Sequence, residues 1–127
     1  KSKKLGLVGR VADVKKEKIF KELEKGKSLL LSPLGSDTEG RIYNINADIS
    51  ACGLAIAIKA EKLIFVTRVE GVYCNGNFLK ELKCDEVDIL IEKGIISGGM
   101  IPKVRAGLDA LQSGVKEVFI GKTEIIQ

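Results

Sequence analysis

Apolar and polar positions along this chain switch between a helical and an extended period, and the switches outline its elements. Residues 5–14 mix apolar side chains with Gly6 and Gly9 and read as extended chain. Over residues 15–26 the apolar positions are Ile19, Phe20 and Leu23, one stripe of a helix that Gly26 stops. Ser28-Leu29-Leu30-Leu31-Ser32, bounded by Pro33 and Gly35, has the uniform apolar pattern of a strand buried on both faces. Residues 36–40 predict a turn and residues 42–45 a short strand. Residues 47–60 have helix length and are apolar almost all round, so this helix is expected to be buried. Residues 62–67 form the clearest buried strand.

Beyond it, Val72-Tyr73-Cys74 and Asn77-Phe78-Leu79 flank Asn75-Gly76, a pair suited to the positive φ angles of a two-residue hairpin turn. Residues 85–93 predict a short helix ended by Gly94. Residues 102–113 predict a long one, with Val104, Leu108 and Leu111 on one face and Gly114 closing it. Residues 115–120 are a final strand. Helices alternating with short apolar strands imply an α/β fold with a mainly parallel sheet.

Composition narrows the classes. A chain of 127 residues can build one core but not two ordinary domains. It contains no repeat, low-complexity segment or obvious linker. The net charge of +4 comes from lysines scattered among glutamates, and aromatics are only 5%. No basic and aromatic residues cluster, so no nucleic-acid partner is expected. Cys52, Cys74 and Cys84 are odd in number, lack CxxC spacing, and have no histidine to complete a zinc site. No signal-peptide pattern or membrane-length apolar run occurs, so no membrane partner and a reduced, cytoplasmic location are expected.

Two segments carry candidate chemistry. In Asn44-Ile45-Asn46-Ala47-Asp48, extended backbone would set Asn44, Asn46 and Asp48 on one face. Two amides can grip a polar substrate, and a carboxylate can orient an ammonium group. The same residues also suit structural work: Asn46 as a helix N-cap and Asp48 as the acid of a first helical turn. Ser97-Gly98-Gly99-Met100-Ile101-Pro102-Lys103 supplies a glycine turn, a helix start and a lysine that can meet a phosphoryl group. It is not a Walker A loop, and Gly26-Lys27-Ser28 precedes a strand rather than a helix. Residues 67–72, at the end of the best strand, are either a nucleotide contact or a plain crossover loop.

These residues, with the run 60–67, Val69-Glu70-Gly71-Val72 and the run 94–104, closely resemble the N-acetylglutamate kinase branch of the amino acid kinase family. The resemblance implies a three-layer α/β/α fold and ATP-dependent phosphorylation of the side-chain carboxylate of N-acetyl-L-glutamate in arginine biosynthesis. Magnesium would accompany ATP, and the full-length enzyme would be a homo-oligomer. By motif, Asn44 would hold the substrate with Asn46 nearby, Asp48 would orient the catalytic lysines, and Lys103 would stabilise the transferring phosphoryl group. Thr67, Arg68, Val69, Glu70, Gly71 and Val72, with Ile95, Ile96 and Ser97, would line the nucleotide pocket. Asp48 and Lys103 are therefore expected to meet at one crevice. Residues 1–66 would end the substrate lobe and residues 67–127 form the nucleotide lobe of a single partial domain.

Arg68 departs from the pattern, since the family usually has aspartate there, and Arg10 stands where glutamate is frequent. The family also has an earlier strand with a second phosphate-binding lysine, a Gly-Gly substrate loop and a C-terminal extension. The chain is thus expected to be the central and C-terminal portion of such an enzyme, with weak or no turnover alone. Alternatives are a related kinase acting on carrier-linked aminoadipate, a non-catalytic nucleotide-binding module, and an assembly element built on exposed sheet edges.

Overall fold

The computed structural model describes residues 6–127. The extended segment expected over residues 5–14 begins outside them, and of the remainder only Val8–Gly9 is a strand, β1. Helix α1 covers Lys16–Leu23, and Gly26, at φ +74°, ends the helical region as expected. A first sheet has the order β1-β3-β2, with β2 at Leu34–Ser36 and β3 at Ile42–Ile45. β1 pairs with β3 in parallel and β2 with β3 antiparallel. Asp37 fixes the intervening turn. Its carboxylate accepts from the backbone N–H groups of Glu39 and Arg41, from Arg41 Nε at 2.6 Å and from the Tyr43 hydroxyl at 3.0 Å.

The leucine run before this sheet is a correction to the sequence reading. Residues 28–32 form no strand, and Leu30 is fully exposed. Pro33 has no N–H to offer a ladder, and the Leu34 N–H turns back to the Ser32 carbonyl. The run therefore skirts the sheet instead of joining it.

Helix α2, Ala47–Ala57, starts where predicted, but only Cys52 and Ala55 are buried in it. It packs on the next strand, β4, and on the last helix; Ala51 and Ile56 lean on the core, most of its other residues are half-buried, and Ile49 is exposed. Uniform apolarity did not mean full burial. β4, Lys62–Phe65, is corrected in the same sense. Leu63 and Phe65 join the core, whereas Ile64 is 54% exposed on the opposite face. There Lys62 bridges to Glu117 at 2.6 Å and lies 5.2 Å from the centre of the Phe119 ring.

The second sheet has the order β4-β8-β9-β7. β5 (Tyr73–Cys74) and β6 (Asn77–Phe78) form a separate hairpin. Asn75 and Gly76 take φ angles of +50° and +80° at its turn, as their residue types predict. β7, Glu81–Lys83, leads through a 3-10 turn at Cys84–Glu86 into α3, Val87–Glu92. Helix α4, Met100–Gln112, begins two residues before the expected start and precedes β8, Glu117–Ile120. β9, Thr123–Ile126, was not anticipated; it turns back antiparallel on β8 and pairs in parallel with β7.

α4 seats closely on this sheet because Gly107 carries no side chain. A Cβ there would stand 2.5 Å from Ile125 Cδ1. Leu82, Val87, Ile96, Val104, Ala110, Val118, Ile120 and Ile125 are essentially inaccessible around that contact and form the core. The α/β class with parallel strand pairs is as the sequence predicts.

Candidate active site

Two helix starts converge on one cleft. The first follows β3. Ile45 is buried and anchors the strand end, and the chain then enters α2 through Asn46, whose side-chain oxygen accepts from the N–H groups of Asp48 and Ile49 at 3.0 and 3.2 Å. This capping satisfies two of the helix's orphan donors and fixes Asp48 in the first turn. The second start is that of α4, preceded by Gly98 at φ +54° and Gly99. Lys103 lies in its first turn.

Packing of α2 against α4 brings the two starts together. Lys103 Nζ donates to both Asp48 oxygens, at 2.7 and 3.0 Å, across 55 positions of sequence. The side chains keep 25% and 15% exposure for Lys103 and Asp48. The two-pronged grip holds the ammonium in one place while leaving part of it accessible. Asp48 and Lys103 meet, as expected. A cleft of about 480 Å³ opens beside them, of a size that suits a small ligand. Val66, Thr67, Arg68 and Val69 form one wall, and Gly99, Met100 and Lys103 the other.

The expected residues divide into those that reach the cleft and those that do not. Thr67, Arg68 and Val69 line it, with the Thr67 hydroxyl donating to the Val69 carbonyl and tightening the loop. Glu70 turns away. Its carboxylate takes Lys122 Nζ at 2.6 Å and the Tyr73 hydroxyl at 3.3 Å, and Lys122 holds it below the usual carboxylate range. Gly71 and Val72 support the loop from beneath. The Val72 N–H donates to the buried Thr123 hydroxyl at 2.8 Å, and that hydroxyl donates to the Leu79 carbonyl at 2.7 Å. A Cβ on Gly71 would collide with the Thr123 oxygen. Ile96 lies in the core, and neither Ile95 nor Ser97 lines the cleft.

Asn44 is exposed in β3, level with Val8 and Leu34. The three polar residues do not share a strand face, because the backbone turns helical after Asn46. Asn44 stays on the sheet, Asn46 caps, and Asp48 projects from α2. Val66 and Met100 line the cleft without having been singled out. Adjacency to Thr67 and to the glycine pair was the available signal. Among the described residues no group of three or more His, Cys, Asp or Glu side chains could hold a metal ion. No described helix is long and apolar enough to cross a membrane.

A family model for the amino acid kinase family matches residues 1–122. The chain belongs to the amino acid kinase family. It is 47% identical over 126 residues to the acetylglutamate kinase of Geobacillus kaustophilus, covering 98% of this chain and 49% of that one. The solved structure of smu.665 from Streptococcus mutans UA159 superposes with a TM-score of 0.90 at 38% identity, over 94% of this chain and 51% of that one. A carbamate kinase from Giardia lamblia, bound to AMP-PNP, shares the fold at a TM-score of 0.72 and 24% identity, over 94% of this chain and 46% of that one. The chain thus spans about half the length of the curated amino acid kinases it matches.

Proposed function

We propose that this chain carries the phosphoryl-transfer residues of an acetylglutamate kinase. The observation that carries the reading is the Lys103–Asp48 pair, placed at two helix starts beside an open cleft. The likeness to acetylglutamate kinases supplies the substrate, N-acetyl-L-glutamate, and a role in arginine biosynthesis. A carboxylate oxygen of the substrate attacks the γ-phosphorus of ATP, the bond to the ADP oxygen breaks, and an acyl phosphate and ADP result. Both reacting groups are already ionised at neutral pH, so the step requires positioning and charge neutralisation rather than a general base.

Lys103 would meet the charge spreading over the transferring oxygens, and Asp48 holds its ammonium in place. Thr67, Arg68 and Val69 would face the nucleotide, with Ile95, Ile96 and Ser97 shaping the approach to α4 from behind. Asn44, exposed on β3, would contact N-acetyl-L-glutamate, and Asn46 acts through the α2 cap. Magnesium would arrive with ATP and be held through its phosphates. A cytoplasmic, homo-oligomeric full-length enzyme fits this biosynthetic role. Residues 1–66 would close the substrate lobe and residues 67–127 form the nucleotide lobe.

The test replaces the matching segment of the Geobacillus kaustophilus enzyme with these 127 residues and measures N-acetylglutamate-dependent ADP release. The chimaera is expected to turn over, and Lys103→Ala to lower its kcat by roughly 10²–10³-fold. Unchanged kcat in Lys103→Ala would refute the assignment.

A further inference from the structure

The charges around the cleft do not balance. Lys103 is neutralised by Asp48, which grips it with both oxygens. Glu70, the only carboxylate of the 67–72 loop, is committed to Lys122 on the far side of that loop. Arg68 lines the same wall as Thr67 and has no ion-pair partner among the described residues. The excess positive charge of the cleft therefore resides on this one guanidinium.

The loop that carries it is held firmly. The Lys122 N–H donates to the Glu70 carbonyl at 2.7 Å, the Gly121 N–H to the Phe65 carbonyl at 2.9 Å, and the Val72 N–H to Thr123. These contacts bracket residues 66–71 on both sides, so Arg68 projects from a fixed backbone at the cleft wall. A guanidinium offers a planar fork of donors matched to pairs of phosphate oxygens. Across the cleft stand Lys103 and the start of α4, which favour the same sign of ligand charge.

The geometry points to Arg68 as the residue that seats the polyphosphate chain of a nucleotide in this cleft and sets its preference for highly charged anions. This deepens the kinase reading and rests on it for the nucleotide, though not for the anion. Lys103 alone, already paired, offers a polyphosphate little net attraction; Arg68 supplies it. Arg68 recruits, and Lys103 acts at the reacting phosphorus.

Calorimetry on the 127-residue chain tests the assignment, with ATP, inorganic tripolyphosphate and adenosine as probes. Wild type is expected to bind ATP and tripolyphosphate. Arg68→Gln should weaken both by about tenfold, in line with loss of one charge-assisted contact. Arg68→Lys should recover part of the loss, and adenosine binding should not change. Arg68 is exposed, so the denaturation midpoint of Arg68→Gln should match wild type, which separates recognition from folding. Equal ATP and tripolyphosphate affinities in Arg68→Gln and wild type overturn the assignment and leave the kinase reading standing. Arg68-dependent tripolyphosphate binding without ATP binding supports the anion site and overturns the nucleotide reading. Failure of wild type to bind either probe overturns both.

Discussion

The two sheets are built from similar residues and differ sharply in what covers them. Around β1-β3-β2, Leu7, Val8, Leu34 and Ile42 are all more than half exposed, and Ile45 is the buried side chain of its three strands. Around β4-β8-β9-β7, Leu82, Val118, Ile120 and Ile125 are sealed in the core, with α4 packed on β4, β8 and β9. Apolar content is comparable; coverage is not. Hydrophobic stabilisation follows the area removed from water, so the second sheet contributes far more of it than the first. The candidate site spans the boundary. Lys103 stands on the rigid core, whereas Asp48 follows directly from the sparsely covered sheet through the Asn46 cap.

Paired truncations give the largest expected contrast. Ile120→Ala should destabilise by about 2–5 kcal/mol, the usual cost of emptying a sealed core position. Leu30→Ala should stay within about 0.5 kcal/mol, because water already surrounds Leu30. Urea denaturation followed by circular dichroism reads both. Equal losses would break the comparison, since they would require Leu30 to be covered in solution.

Next comes the buried hydroxyl beneath the cleft loop. Thr123→Val keeps the shape but strands the Val72 N–H and the Leu79 carbonyl, at a cost of about 1–3 kcal/mol. Faster hydrogen exchange at the Val72 amide would locate the damage in the loop. An amide as protected as in wild type would show that Thr123 does not hold it.

The hairpin and the site were legible in the sequence for different reasons. Asn75-Gly76 declares its turn locally, because few other residue types accept the φ angles both positions require. The meeting of Asp48 and Lys103 was reached through family likeness, since no local pattern links residues 55 positions apart. Coverage was not legible. The leucines at 29–31 and those of the core have the same hydropathy, and only tertiary neighbours decide which are wet. Thr123 escaped notice because a lone threonine in a short terminal strand shows no sign of a partner 51 residues away. The Glu70–Lys122 pair was equally illegible, because its lysine lies on the distant β8–β9 turn.

Cutting the ion pair that joins the two regions should do less to stability than Ile120→Ala or Thr123→Val. Asp48→Asn is expected to cost about 1 kcal/mol or less in the chain alone, because both side chains retain solvent contact. Its effect should appear instead in the chimaeric enzyme as a fall in kcat with little change in the midpoint of unfolding. A large stability loss with unchanged kcat would make Asp48 a strut between α2 and α4 rather than an orienting group for Lys103.

The smallest effect belongs to the exposed tie between the cleft loop and the β8–β9 turn. Lys122 lowers the Glu70 carboxyl from its ordinary value near 4.5, through their hydrogen bond first and their charges second, and the Tyr73 hydroxyl adds to this. Glu70 in turn raises Lys122 above 10.5. The depressed carboxyl contributes stability that is complete above pH 4.5 and fades as pH falls through its folded value. The raised ammonium contributes stability that is complete below pH 10.5 and fades as pH climbs through its folded value. The tie is therefore at full strength across the neutral range and slackens only at the extremes. Carbon-detected NMR titration should show the Glu70 midpoint moving up toward 4.5 in Lys122→Gln, with the Val72 amide still protected by Thr123. If the midpoint does not move, the pair is too loosely held in water to constrain the loop. Thr123 and the backbone contacts at Gly121 would then be what fix the wall that carries Arg68.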